Sequence, residues 1–171
     1  MFLLLTPSPV FWQAKSLRVS TGIPLERSGF PDMRLMIDTN IVLDVLTREG
    51  ELHDTSAAVL RKCEDRTVQG FVTASTITDI FYLTRRALHS TEETYKVVGH
   101  ILNLVKVLTV TNDDVLTAFQ ARANDFEDCL LATCAKSNKC DGIVTRNKKD
   151  FLTFGITLYS PEEFLDLFAE E

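Results

Sequence analysis

The chain has few of the residue patterns that mark zinc-binding or disulfide-stabilised proteins. Its 171 residues include four cysteines and three histidines; no two cysteines form a C-x-x-C pair, and the histidines fall in separate segments. A zinc site normally requires such clusters, and a disulfide framework is not expected in a chain of this size without a secretory signal. We therefore expect the thiols to be reduced and mostly buried. The cysteines are Cys63, Cys129, Cys134 and Cys140.

Long apolar runs and excess positive charge are also missing. No apolar stretch approaches the ~20 residues that a membrane-spanning helix needs. The net charge of -6 argues against binding nucleic acid by bulk electrostatics, so a phosphate substrate would need local cations. What is present is ordinary: 45% hydrophobic and 25% charged residues are typical of a globular cytoplasmic protein, and the length fits one domain.

Residues 1–32 show no sustained hydrophobic period. Pro7 and Pro9 interrupt the apolar run at the start, and no basic residue precedes that run, so the pattern is not that of a signal peptide. We expect a disordered extension or a misjudged start, with Met33 as the alternative native start. The folded domain is expected at residues 33–171.

The segment that organises the sequence is a predicted strand that turns directly into a helix. Residues 35–37 are apolar, the helix-capping residues Asp38, Thr39 and Asn40 follow, and apolar residues then resume. Asp38 is thus predicted at the carboxyl end of a strand, where ligands bind in open α/β sheets. The alternative is that Asp38 merely caps the helix.

Further strands are predicted at residues 71–74, 107–110, 143–145 and 156–159, and helical patterns separate them. One of these helices is predicted to begin with a T-x-x-D capping box made by Thr76 and Asp79. Strands that alternate with helices indicate a single α/β domain with a central, mainly parallel sheet flanked by helices on both faces.

Four aspartates share one property: each lies just past a predicted strand or in the first turn of a predicted helix. They are Asp38, Asp79, Asp128 and Asp150. In a parallel sheet these positions gather on one side, where the carboxylates would repel one another unless a cation enters. Carboxylate oxygens without nearby histidine or cysteine suit Mg²⁺ or Mn²⁺. Such an ion serves phosphodiester hydrolysis, because it polarises the phosphate and activates water.

Three cations, Arg146, Lys148 and Lys149, lie beside the last of these aspartates. Arg146 and Lys148 are our candidates for binding the phosphate backbone of a nucleic-acid substrate, since they would offset the acidity of the protein locally. The alternative is an ordinary solvated basic loop.

Four segments in this order resemble the PIN-domain ribonucleases, notably the VapC-like toxins of type II toxin–antitoxin systems. The segments are MIDTN at 36–40, TITDI at 76–80, DFEDCLLATCA at 125–135 and IVTRNKKDF at 143–151. The resemblance covers residues 33 to about 168. It implies an endoribonuclease that depends on Mg²⁺ or Mn²⁺ and acts on RNA. It also implies a homodimer that is inhibited by a small antitoxin protein.

The resemblance also implies roles for individual residues. Asp38 and Asp128 would be the principal metal ligands, and Asp79 and Asp150 would complete the catalytic acids. Supporting polar groups that hold these ligands in place would be Thr39, Thr145 and Asn147. The sequence departs from the family at Asp79, where glutamate is usual, so this shorter side chain could act through water. Asp125 is interpreted as a neighbouring helix cap, and the alternative is that it exchanges with Asp128 as a metal ligand.

Two other functions remain open at this stage. A catalytically inactive PIN-fold module that binds RNA or protein would be consistent with aspartate in place of glutamate at position 79. An aspartyl phosphatase with Asp38 as nucleophile would require a second acid two residues further on, where the chain has Asn40.

Overall fold

Five short strands form the central sheet of the protein, which the computed structural model describes for residues 32–169. The strands are β1 (Arg34–Ile37), β2 (Gln69–Thr73), β3 (Lys106–Leu108), β4 (Gly142–Val144) and β5 (Leu158–Tyr159). Their order in the sheet is β3-β2-β1-β4-β5, and every adjacent pair is parallel. The predicted α/β fold with a mainly parallel sheet is confirmed. The extension or misjudged start predicted for residues 1–32 lies, apart from Asp32, outside the described residues.

Helices connect the strands. They are α1 (Thr39–Thr47), α2 (Glu51–Glu64), α3 (Ala74–Leu88), α4 (Thr91–Leu104), α5 (Asn112–Ala121), α6 (Phe126–Ser137), α7 (Lys148–Phe151) and α8 (Pro161–Asp166). A 3₁₀ turn (Leu152–Phe154) follows α7. Within residues 32–169, no helix is long and apolar enough to cross a bilayer.

The core lies on both faces of the sheet because successive side chains of a strand point in opposite directions. Leu35 and Ile37 of β1 pack on one face with side chains from α1 to α4 and α8, whereas Met36 packs on the other face with α6 and Phe151. All three β1 side chains are fully buried, as expected for a strand that is covered on both sides. Helices therefore flank the sheet on both faces, as predicted.

The strand order creates a crevice at the carboxyl end of β1. The chain runs outward from β1 to β2 and β3, and then returns to place β4 on the opposite side of β1. Connections that leave adjacent strands in opposite directions open a crevice at the strand ends, where ligands bind in open α/β sheets. Here β1 and β4 are in register at Ile37 and Val144, so Asp38 and Thr145 follow side by side.

The start of α3 corrects one prediction. The helix begins at Ala74, directly after β2, and its N-cap is Thr73. The Oγ1 atom of Thr73 accepts a hydrogen bond from the backbone N–H of Thr76 at 3.2 Å. The predicted capping box of Thr76 and Asp79 is therefore wrong, because both residues already lie inside the helix. Asp79 is in the second turn of α3 and not in the first.

The four cysteines are free, and all except the partly exposed Cys140 are buried. Burial raises the pKa of the Cys63 thiol to about 12. Such a thiol is almost entirely protonated at neutral pH and therefore unreactive. The cysteines thus contribute to packing, as the sequence predicted.

Candidate active site

Asp38 occupies the N-cap position of α1, but its side chain makes no capping hydrogen bond to the helix. Two side chains hold its carboxylate: Thr145 Oγ1 donates to Oδ2 at 2.6 Å and Asn40 Nδ2 donates to the same atom at 2.5 Å. Burial raises the pKa of Asp38, and the hydrogen bonds from Thr145 and Asn40 offset part of that increase. The idea that Asp38 only caps the helix therefore does not account for its contacts.

The loop after β4 supplies the next part of the site. Thr145 is fully buried, and its Oγ1 atom also accepts a hydrogen bond from the backbone N–H of Asn147 at 2.9 Å. The side-chain amide of Asn147 in turn donates to Asp150. Thr145 and Asn147 thus each hold one of the predicted catalytic carboxylates. Thr39 does not, since its hydroxyl donates to Thr76 Oγ1 at 3.4 Å.

Asp128 lies in the first turn of α6, which is capped by Asp125. The Oδ1 atom of Asp125 accepts hydrogen bonds from the backbone N–H groups of Glu127 at 2.9 Å and Asp128 at 3.1 Å. Burial, together with the charges of Asp125, Asp38, Asp150 and Glu127, raises the pKa of Asp128 to about 7. The charges of Asp38 and Asp150 act on Asp128 across separate segments of the chain, which indicates that these three carboxylates lie on the same side of the sheet.

Asp79 reaches the same cluster from α3. Burial raises the pKa of Glu127, and the charges of Asp79, Asp125 and Asp38 raise it further. Glu127 is therefore close enough to both Asp79 and Asp38 for their charges to act on it. Glu127 was not among the predicted site residues, although the density of acids at residues 125–128 was the available signal. Asn40 was also missed as a supporting residue; its position two residues after Asp38 was the signal.

The donor atoms of this cluster fit a hard divalent cation. They are oxygens, which suit Mg²⁺ or Mn²⁺ better than zinc. Within residues 32–169, no three histidine, cysteine, aspartate or glutamate side chains converge closely enough to enclose an ion. Mg²⁺ is commonly held by one or two carboxylates and keeps several waters, and Asp38 with Asp128 would provide such a pair. A cation there would also relieve the mutual repulsion of the carboxylates.

The two predicted substrate-binding cations have carboxylate partners within the protein. Arg146 Nε donates to Asp44 at 2.9 Å and Arg146 Nη1 to Glu162 at 2.5 Å. Lys148 Nζ donates to Glu163 at 2.6 Å. In this geometry Arg146 does not present an open guanidinium to a phosphate, and Lys148 would have to leave Glu163 to do so. Binding of substrate by these two residues stays a prediction.

The sequence matches the PIN domain family over residues 34–149, whereas no curated protein matches it. The fold is similar to that of DNA-bound VapBC from Salmonella typhimurium, with 19% identity, a TM-score of 0.59, and coverage of 75% of this chain and 98% of that chain. It is also similar to FitAcB from Neisseria gonorrhoeae, with 18% identity, a TM-score of 0.58, and coverage of 75% and 98%. At such identities the structural similarity establishes the fold alone.

Proposed function

The chain belongs to the PIN domain family, and we propose that it is an endoribonuclease that uses Mg²⁺ or Mn²⁺ to hydrolyse RNA phosphodiester bonds. The observation that carries the proposal is the cluster of acids around Asp128, whose pKa is raised to about 7 by burial and by neighbouring carboxylates including Asp38 and Asp150. Helix capping alone does not require carboxylates from three separate segments to meet. A divalent cation held by Asp38 and Asp128 would relieve the mutual repulsion of these acids.

Each residue has a defined part in this proposal. Asp38 and Asp128 would hold the ion, which when bound polarises the phosphate and lowers the pKa of the attacking water. Thr145 fixes the orientation of the Asp38 carboxylate through its 2.6 Å hydrogen bond. Asn147, whose side-chain amide donates to Asp150, would hold that carboxylate beside the ion-binding pair. Asp79 would complete the acidic cluster and, being shorter than glutamate, would act through a water molecule.

We further propose that the protein is the toxin of a cytoplasmic toxin–antitoxin pair and that it forms a homodimer. The support is that similar solved structures include VapBC from Salmonella typhimurium, FitAcB from Neisseria gonorrhoeae and a toxin–antitoxin complex from Klebsiella pneumoniae. Large exposed apolar side chains are also available for protein partners, including Tyr82 at 66%, Tyr95 at 65% and Phe119 at 54% exposure. Sedimentation equilibrium tests the dimer, which would have twice the mass of the 19.3 kDa chain.

The test of the nuclease proposal is cleavage of labelled transfer RNA and messenger RNA in Mn²⁺ and in excess EDTA. We expect cleavage by the wild type in Mn²⁺ only, and a loss of at least about 100-fold in Asp38→Asn, because a metal ion contributes several kcal/mol of transition-state stabilisation and each ~1.4 kcal/mol is tenfold. Asn is uncharged and similar in size, so the variant should fold. Asp113→Asn, at an exposed aspartate in the first turn of α5, is the matched control. Equal cleavage in EDTA, or full activity of Asp38→Asn, would contradict the proposal.

A catalytically inactive PIN-fold module that binds RNA or protein is the second candidate. The observation in its favour is Asp79. Its carboxylate lies one methylene closer to the α3 backbone than that of the glutamate that is usual in the family, so it reaches less far into the acidic cluster. The same experiment separates the two functions. An inactive module would retain RNA or protein binding but show no Mn²⁺-dependent cleavage by the wild type.

A further inference from the structure

Arg146 joins three helices through one side chain. Beyond Asp44 on α1 and Glu162 on α8, its Nη2 atom donates to three oxygens of α2. These are Leu52 O at 3.0 Å, Thr55 Oγ1 at 2.5 Å and Ser56 Oγ at 3.1 Å. Only 20% of the Arg146 side chain and 11% of the Asp44 side chain are exposed. The rigid guanidinium fork suits this arrangement, and a lysine ammonium would not reproduce it.

The backbone of the same residue is tied to the acidic cluster. The N–H of Arg146 donates to Asn40 Oδ1 at 3.3 Å, and the other end of the Asn40 amide donates to Asp38 Oδ2. The residues on either side, Thr145 and Asn147, hold the carboxylates of Asp38 and Asp150. Fixing Arg146 therefore also fixes the segment that orients these two carboxylates.

We propose that the Arg146–Asp44 pair is a positioning device for the active site, and that Arg146 acts through Thr145 and Asn40 on the carboxylate of Asp38 and not by contact with RNA. The inference rests on the nuclease function proposed above. Ser56 strengthens the pair, since its hydroxyl donates to Asp44 Oδ2 at 3.0 Å while accepting from Arg146. Asp44 and Ser56 thus become necessary for activity although neither of them lies in the acidic cluster.

Positioning and substrate contact make different kinetic predictions. A residue that orients a metal ligand affects metal affinity and the catalytic step, and loss of such a partner typically costs 10–100-fold. A cation that binds the RNA backbone affects KM and its salt dependence, and lysine can replace arginine as a point charge for phosphate. The decisive substitution is Asp44→Asn, because it removes the negative charge that pairs with Arg146 Nε while the positive charge of Arg146 itself is kept.

The experiment compares Asp44→Asn, Arg146→Lys and Arg146→Gln with the wild type in steady-state RNA cleavage and in Mn²⁺ titrations. We expect kcat to fall by about 10-fold or more in all three variants, KM for RNA to stay within about twofold, and half-maximal activation to need more Mn²⁺. The matched control is Arg48→Gln. Arg48 approaches Asp44 at 4.0 Å from the solvent side, with 60% of its side chain exposed, and its loss should leave kcat unchanged.

A second readout does not depend on activity. The backbone amide of Asn147, which donates to Thr145 Oγ1, should shift its ¹H–¹⁵N resonance in Asp44→Asn and keep it in Arg48→Gln. The positioning role would be overturned by a wild-type kcat in Asp44→Asn. It would also be overturned if Arg146→Lys were as active as the wild type while Arg146→Gln had a raised KM for RNA. If Arg146→Gln does not fold, Asp44→Asn decides the question alone. If the wild type cleaves no RNA, the proposed function fails, and an unshifted Asn147 resonance would then separately refute the positioning.

Discussion

The carboxylate of Asp128 is surrounded by other negative charges. Burial comes first among the causes that raise its pKa to about 7, and Asp125, Asp38, Asp150 and Glu127 add to it. An aspartate whose pKa is higher in the folded protein than the ordinary 3.8 binds its proton more tightly when folded. Folding is therefore favoured at acidic pH by this group, and that contribution is lost as the pH rises from about 4 to about 7.

The stability of the metal-free protein should therefore depend on pH through Asp128. We expect Asp128→Asn to raise the Tm at pH 8 by about 2–4 °C, the change that ~1 kcal/mol produces in a domain of this size, and to have little effect at pH 5. Partial exposure of Asp128 screens its charge and keeps the effect small. Mn²⁺ should raise the wild-type Tm at pH 8 and not that of the variant. The measurement is thermal denaturation at both pH values, with Asp113→Asn as control. A variant less stable than the wild type at pH 8 would contradict the electrostatic account.

The positions of single site residues were predictable from the sequence where a local pattern assigns the residue to the end of a strand or the start of a helix. Asp38, Asp128 and Asp150 follow strands or begin helices, so their proximity was expected, and the charges of Asp38 and Asp150 are among the causes that raise the pKa of Asp128. The contacts of Arg146 with Asp44 and Glu162 were not predictable, because they join residues 102 and 16 positions apart through packing of α1 and α8. The catalytic, metal-binding and supporting roles of the predicted residues remain predictions.

At the scale of single elements, α3 shows where pattern reading fails. The sequence predicted a T-x-x-D cap at Thr76, whereas the N-cap in the structure is Thr73; by residue type alone, a threonine suits either position. The choice is made by the sheet: β2 pairs with β3 as far as Thr73, so the helix can begin at the next residue. The spacing of apolar and polar side chains does not show at which residue a helix begins, because the end of the preceding strand depends on its pairing with a neighbouring strand. The same limit explains why β3 and β5 are shorter than predicted.

The position of the cap can be tested by substitution. Thr73→Ala should reduce the free energy of unfolding by about 1–2 kcal/mol, the usual cost of losing an N-cap, because the Thr76 N–H would lose the Thr73 acceptor. Asp79→Asn should leave stability nearly unchanged, since Asp79 does not cap the helix. Urea denaturation measures both. Thr78→Ala, at an exposed threonine that donates to the backbone of the preceding turn, is the matched control. A larger loss in Asp79→Asn than in Thr73→Ala would restore the cap predicted from the sequence.

At the scale of the whole molecule, the topology places the predicted site acids at the carboxyl ends of the strands or near the starts of the helices that follow. Asp38 follows β1, Asp150 follows β4, and Asp79 and Asp128 lie near the starts of α3 and α6. The fold class was predictable because strands and helices alternate along the chain, and the crevice followed from the parallel arrangement. The strand order was not predictable, because sequence periods do not show which strands are neighbours. A protein of net charge -6 with this acidic crevice would repel RNA, so a divalent cation would serve binding as well as chemistry.

Carboxylates from separate segments of the chain are proposed to form one divalent-cation site. The most direct test is titration of the protein with Mn²⁺ while free Mn²⁺ is measured by electron paramagnetic resonance. We expect the wild type to bind Mn²⁺, and both Asp38→Asn and Asp128→Asn to weaken that binding by at least about tenfold, or ~1.4 kcal/mol, with Asp113→Asn unchanged. Wild-type Mn²⁺ affinity in either Asp38→Asn or Asp128→Asn would contradict a shared site.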